Sequence, residues 1–332
     1  MTDPTGARPG RLDPASAEQV AGFVRAAARG IEAALLGKHE PVMLALVCLL
    51  ARGHLLVEDV PGTGKTTLAK SIASTMSGKS TRIQFTPDLL PTDITGVSVF
   101  DQRASVFEFR PGPVFANVVV ADEINRASPK TQSALLEVME EGQVTADGVT
   151  HAVPEPFMVV ATQNPVDLEG TYRLPEAQLD RFAMRISVGH PDVATEAAIL
   201  EGRASAAAPA VPAIASLDQV RWLQDAVTRV HLSSELARYV ADLAAATRAH
   251  DALRLGVSTR GSLTLVRAAQ AHAAAAGRHF VVPDDLRTVL APVVAHRLVL
   301  TAQSEVRGQT AAGVLAEVVA AVPVPASPAA VR

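Results

Sequence analysis

Gly62-Thr63-Gly64-Lys65-Thr66-Thr67 follows a short apolar run that ends before Pro61, and it opens a helical stretch. Glycines at that spacing let successive backbone N–H groups wrap an anion, and the helix N-terminus behind them adds its positive end, so the segment reads as a phosphate cradle. In such a loop Lys65 reaches the β- and γ-phosphates and Thr66 places its hydroxyl on Mg²⁺. The strict pattern asks for glycine five positions before Gly64, where this chain has Asp59. Taken alone, the loop is therefore also compatible with a plain glycine turn before a helix.

A second element decides between the two. Val118-Val119-Val120-Ala121 is an apolar run closed by Asp122 and Glu123. Downstream of a phosphate loop, Asp122 is expected to hold Mg²⁺ through water and Glu123 to polarise the attacking water, which makes the chain an ATP or GTP binder. Asn164 closes a third apolar run, in Ala161-Thr162-Gln163-Asn164-Pro165. Ligands bind at that end of open α/β sheets, so Asn164 is placed to orient the water or sense the γ-phosphate. The alternative is a turn-forming asparagine before proline. Other chemistries lack their patterns. His54, His151 and His190 have no metal-ligand spacing, no serine sits in a Gly-x-Ser-x-Gly elbow, and Trp222 with two tyrosines is too little for a base-stacking platform.

These groups need a scaffold. A chain of 332 residues corresponds to about two domains. Short apolar runs at 54–57, 82–85, 118–121, 157–162 and 184–188 alternate with helical or loop stretches, the pattern of a parallel sheet covered on both faces. Two helices precede them, over 17–36 and from about 40 to 51, with Gly37-Lys38-His39 between. Two stretches read as inserted β-hairpins: 97–109 around a polar turn, and 143–153 around Asp147-Gly148. Beyond residue 191 the strands stop, and 192–320 reads as an all-helical domain with a loop near 205–215. Residues 1–16 and 321–332 are polar or proline-spotted and expected to be disordered. A net charge of −4 argues against a phosphate-coating nucleic-acid binder. One cysteine, Cys48, leaves no intrachain disulfide. The longest apolar run, 42–51, is about half a membrane span, and the N-terminus lacks a signal-peptide core, so the expected location is the cytoplasm.

In combination and order, several segments resemble MoxR-type AAA+ ATPases: 58–67, 84–96, Phe109-Arg110-Pro111-Gly112-Pro113, Ala121-Asp122-Glu123-Ile124-Asn125-Arg126, 161–165 and 174–182. The resemblance spans about residues 17 to 300. It implies an α/β AAA+ P-loop core at 17–191, with a parallel sheet and β-hairpin inserts, followed by a smaller all-α lid. It also implies a ring, usually hexameric, with ATP and Mg²⁺ between subunits. The Asp59 departure is one this family often shows. Residues 61–67 become the Walker A loop, Asp122 and Glu123 Walker B, and Asn164 sensor 1. Arg181, before Phe182, takes the position of an arginine finger reaching a neighbour's γ-phosphate; its alternative is a surface arginine paired to Asp180. Arg260 matches sensor 2, a lid arginine on phosphate, although Gly261 beside it is a weak helix former. Gly37 resembles the segment lining the adenine pocket. Arg126 stays open, either facing a neighbouring subunit or pairing with Asp122 or Glu123.

The implied role is chaperone-like: maturing or activating partner proteins, often ones with a von Willebrand factor A domain, sometimes by helping a metal cofactor enter. The rivals are a magnesium-chelatase-like motor subunit and a nucleic-acid motor. Phe100, Phe107 and Phe109 make the first hairpin aromatic. They are expected to pin it to its own domain rather than to form a partner surface.

Overall fold

The computed structural model describes residues 10–60, 62–103, 105–164, 171–172, 174–203 and 210–325. Helices α1 (Pro14–Ala34) and α2 (His39–Leu50) lead into β1 (Leu55–Glu58), and α3 (Lys65–Thr75) and β2 (Ser80–Gln84) follow. The short α4 (Pro91–Thr95) opens the first insert, the hairpin β3 (Gly96–Asp101) and β4 (Val106–Pro111). Then come β5 (Val118–Asp122), α5 (Pro129–Glu141), the second hairpin β6 (Gln143–Ala146) and β7 (Val149–Ala152), β8 (Met158–Gln163), α6 (Glu176–Leu179) and β9 (Met184–Ile186). The remainder runs α7 (Val193–Arg203), α8 (Leu217–Val227), α9 (Ser234–Ala249), β10 (Leu253–Leu255), α10 (Thr259–Ala275), α11 (Pro283–Val294), β11 (Val299–Leu300), α12 (Ala302–Val306) and α13 (Ala311–Ala321).

The five core strands pair in the order β2-β5-β8-β1-β9, every pair parallel. Because strand side chains alternate, the apolar runs feed two cores. Leu55, Val57, Val118, Val120 and Val160 join the core with α1, α2 and α3, while Leu56, Val119, Val159 and Ala121 face α5 and the inserts. All five strands point the same way, so the residues after β1, β5 and β8 gather at one end of the sheet. In the second hairpin, Asp147 (φ 49°) and Gly148 (φ 77°) both take the left-handed conformation that a two-residue hairpin turn needs.

Three boundaries differ from expectation. Helix α1 starts at Pro14, inside the segment expected to be disordered, because Asp13 caps it by accepting from Ser16 N at 2.9 Å. Leu12 is buried, and its N–H donates to Arg229 O at 2.9 Å. Residues 1–9 and 326–332 lie outside the described residues, while α13 continues to Ala321 and residues 322–325 are described beyond it. The lid is not wholly helical: β10 and β11 form a small antiparallel ribbon. Of the expected loop at 205–215, residues 205–209 lie outside the described residues, whereas Ile214 and Ala215 donate to Thr75 O at 2.8 and 3.0 Å and tie the lid to α3.

His54 locks the start of β1. Its Nδ1 accepts from Val159 N and its Nε2 donates to Met139 O, both at 3.0 Å. Burial pushes its pKa down to about 4, only partly opposed by the Met139 carbonyl. The folded chain therefore refuses a proton that the unfolded chain accepts below about pH 6.5. This contribution to stability is complete above that pH and is lost as pH falls from about 6.5 to about 4, amounting to about 3 kcal/mol. Urea unfolding across this range should show the loss, and His54→Gln should flatten it. A wild-type slope in His54→Gln would show that His54 does not carry the effect.

Candidate functional site

A cavity of about 420 Å³ opens at the carboxyl end of the sheet, lined by the glycine loop, the ends of β2 and β5, Thr162 and Asn164. Gly62 (φ 87°) and Gly64 (φ 92°) are left-handed, and a Cβ on Gly64 would collide with Leu35 Cδ1. Gly64 caps α3 with no side-chain hydrogen bond to the first turn, so those N–H groups are available to an anion. Lys65 arches over the loop, its Nζ donating to Asp59 O at 2.8 Å and Val60 O at 3.0 Å. Thr66 and Thr67 line the cavity, and Thr63 Oγ1 donates to Val60 O at 3.4 Å. Pro61 lies outside the described residues. Gly37 (φ 70°) sits two residues beyond Leu35, and a Cβ there would lie 3.0 Å from Thr195 Cγ2 on α7. Its segment thus runs between the glycine loop and the first lid helix.

Asp59, the departure from the glycine pattern, has a structural function. Its Oδ2 accepts from Val188 N and Gly189 N, both at 2.7 Å, and from Ser187 Oγ at 3.3 Å. Burial alone would raise this carboxyl, but the Gly189 and Val188 amides, the Lys65 charge and Ser187 outweigh it and hold the pKa below the usual value. The phosphate loop is thereby latched to the segment that leads from β9 into the lid.

Asp122 and Glu123 reach the same cavity. Asp122 Oδ1 accepts from Thr162 Oγ1 at 2.6 Å, and its Oδ2 pairs with Arg82 at 2.5 Å. Glu123 is left-handed (φ 54°), a conformation costing of order 1 kcal/mol or more for a non-glycine residue. Its N–H donates to Thr162 Oγ1 at 2.9 Å, and its Oε2 accepts from Gln84 Nε2 and Arg126 Nη1, each at 3.0 Å. Arg126, left open above, thus pairs with Glu123. Asn164 stands at the end of β8 and lines the cavity. Glycine amides, a lysine, a hydroxyl and two carboxylates fit a nucleotide triphosphate with its divalent ion. Among the described residues no group of three or more His, Cys, Asp or Glu could hold a different metal.

Arg181 and Arg260 lie elsewhere. Both grip Glu140, Arg181 Nη2 on Oε2 at 2.9 Å and Arg260 Nη1 on Oε1 at 3.0 Å. They line a cleft of about 350 Å³ with Gly53, His54, Arg267 and Met184, at the amino ends of β1 and β9. Residues 54 and 59 bracket β1, about 16 Å apart in extended chain, so this cleft and the phosphate loop sit at opposite ends of the same strand. Arg260, expected on phosphate, is not in its own chain's phosphate cavity; it stands beside Arg181. Asp180 does not pair with Arg181 either. It accepts from the buried Arg297 Nε at 2.6 Å, while Arg297 Nη2 donates to Phe182 O at 2.7 Å and Asp180 O at 3.2 Å. The lid therefore clamps the backbone on either side of Arg181. A Cβ at residue 261 would lie 3.0 Å from Val257 Cγ1 and 3.1 Å from Arg297 Cδ, a tight fit that favours glycine after Arg260.

Sequence reasoning missed Arg82, Gln84, Thr162, Glu140 and Arg297 as site or supporting residues. Arg82 and Gln84 carried a signal, two polar residues at i and i+2 on the strand preceding the acids. Glu140 and Arg297 carried none. The first hairpin corrects another expectation. Phe109 packs on Phe115 and His151, but Phe100 and Phe107 are 48% and 73% exposed, their rings 5.2 Å apart.

A parallel sheet with a phosphate loop after β1, two acids at the end of β5 with β8 between the two strands, and a C-terminal helical lid defines an ATPase of the AAA class. Residues 54–184 match the ATPase family associated with various cellular activities (AAA), and residues 245–318 match the AAA lid domain. The chain is 45% identical over 304 residues to the uncharacterized protein YeaC of Bacillus subtilis, covering 91% of this chain and 95% of that one. It is 41% identical over 300 residues to Chaperone MoxR1 of Mycobacterium tuberculosis, covering 87% and 79%. A crystal structure from Cytophaga hutchinsonii superposes with a TM-score of 0.87 at 34% identity, covering 94% of this chain and 98% of that one. The chain belongs to the MoxR family of AAA+ ATPases. No helix among the described residues is long and apolar enough to cross a membrane.

Proposed function

We propose that this chain hydrolyses ATP in a ring, hexameric as the family resemblance implies, and uses the cycle to mature or activate partner proteins. The observation that carries the reading is the separation of Lys65 and Glu123 from Arg181 and Arg260 at opposite ends of one strand. Each chain then holds one half of two sites, and a neighbour completes each. The glycine-loop amides and Lys65 bind the phosphates. Thr66 and Asp122 would hold Mg²⁺, which would supply positive charge to offset that of the phosphates. Glu123 accepts a hydrogen bond from the attacking water and polarises it, Asn164 orients it, and the neighbour's finger offsets charge on the transferring phosphoryl.

The partner reading draws on a relative named a chaperone and on the exposed Phe100 and Phe107, an apolar surface of the kind that docks other proteins, on a chain whose net charge of −4 disfavours nucleic acid. A protein with a von Willebrand factor A domain, including one receiving a metal cofactor, is the partner class to seek. If sites are shared, specific ATPase activity rises with protein concentration and levels off as rings form. Sedimentation should track the same curve. Full activity from monomers at every concentration would contradict the ring.

A further inference from the structure

Arg82 lies in the nucleotide cavity with no part in the scheme above. It projects from β2, one of the two edge strands of the five-stranded sheet, and is half exposed, so packing does not fix it there. What holds it is the acid assigned to the metal. Asp122 Oδ2 accepts from Arg82 Nη2 at 2.5 Å and from Nε at 3.1 Å. The carboxylate's other oxygen is committed to Thr162 at 2.6 Å. The same Nη2 donates to Gln84 Oε1 at 3.0 Å, and Gln84 Nε2 donates to Glu123 Oε2 at 3.0 Å. One guanidinium thus ties the metal-holding acid directly and the water-polarising acid through an amide.

We infer that Arg82 is a built-in counter-cation that stands on Asp122 in place of the divalent ion and must be displaced when the metal–nucleotide complex binds. This rests on the assignment of Asp122 to Mg²⁺. A divalent ion held by Asp122 through water brings a hydrogen-bond donor to the oxygen that the guanidinium already holds, and two cations this near one carboxylate repel. Displacement has a second effect. Once Arg82 leaves, Gln84 loses the donor that orients its amide, and its hold on Glu123 loosens. Arg82 is therefore a positioning residue. It balances the two acids while the site is empty and couples metal arrival to release of Glu123.

The test is binding of a fluorescent ADP analogue across a titration of free Mg²⁺, and in excess EDTA, for wild type, Arg82→Gln and Arg82→Lys. Removal of the competing cation should lower the half-saturating Mg²⁺ about threefold to tenfold in Arg82→Gln, as expected for a part-exposed, charge-assisted pair. Arg82→Lys, which keeps a cation, should stay near wild type. Weaker binding of the analogue by Arg82→Gln both in Mg²⁺ and in EDTA would overturn the inference, because it would make Arg82 a phosphate ligand. An unchanged Mg²⁺ requirement would overturn it too. Asp122→Asn separates this from the underlying assignment. If wild-type Mg²⁺ dependence survives in Asp122→Asn, the metal assignment itself fails. If it is lost while Arg82→Gln is unshifted, only the role of Arg82 fails.

Discussion

Glu123→Gln is expected to bind ATP as wild type does and to hydrolyse it about 10²- to 10⁴-fold more slowly. The substitution keeps the shape of the side chain and leaves the Lys65 loop untouched. It removes the only charge that Glu123 brings to the water, and with it the ion pair from Arg126 at 3.0 Å. Nucleotide binding by a fluorescent analogue and phosphate release under single turnover separate the two effects. Hydrolysis at the wild-type rate would mean that another group polarises the water. A variant held in the ATP state is also the form most suited to affinity capture of partners. Recovery of a von Willebrand factor A domain protein with it, and not with Lys65→Ala, would support the partner reading.

Arg181→Ala carries the larger expected loss, about 10³- to 10⁵-fold in turnover with ATP binding retained, the range for a finger in phosphoryl transfer. Retained binding follows from the geometry, since Arg181 is at the far end of β1 from its own phosphate loop. Arg260→Ala should act in the same direction, because both arginines meet on Glu140 and present their charge to one cleft. Arg126→Ala should behave differently. Its partner is Glu123 of its own chain, so its effect belongs to the water-polarising step. A normal rate in Arg181→Ala rings would remove the finger assignment.

What the sequence made legible follows a physical rule. Strands β1, β5 and β8 were readable because a parallel strand buried on both faces is a short, continuous apolar run, whereas the edge strands β2 and β9 carry Arg82, Gln84 and Arg185. The second hairpin was readable because only residues such as Asp147 and Gly148 accept the turn's left-handed backbone. The phosphate loop and the two acids were readable because their chemistry depends on local spacing. What stayed hidden depends on contacts distant in sequence. Asp59 looked like a defect in the glycine pattern, and its reason, the amides of Val188 and Gly189, lies about 130 residues away. Gly261 looked like a weak helix former, and it packs tightly against the side chains of Val257 and Arg297, the latter 36 residues away. The β10–β11 ribbon has strands of three and two residues, too short for a period to register. Burial of Phe100 and Phe107 was expected from their type, but the two, directly opposite across β3 and β4, pack on each other and stay exposed. The N-terminal start of α1 was within reach, since Asp13-Pro14 is a cap followed by proline at the first helical position.

One subunit's phosphate loop is expected to work with its neighbour's Arg181. Mixing Lys65→Ala and Arg181→Ala subunits, each inactive alone, tests it most directly. In a mixed ring some interfaces join an intact lysine to an intact finger. Single-turnover ATP hydrolysis, measured on rings whose mixed composition is established by mass, does not require every subunit to cycle. Partial activity should return in proportion to the number of such interfaces. No activity in rings shown to be mixed would contradict the shared site and place the action of Arg181 within its own subunit.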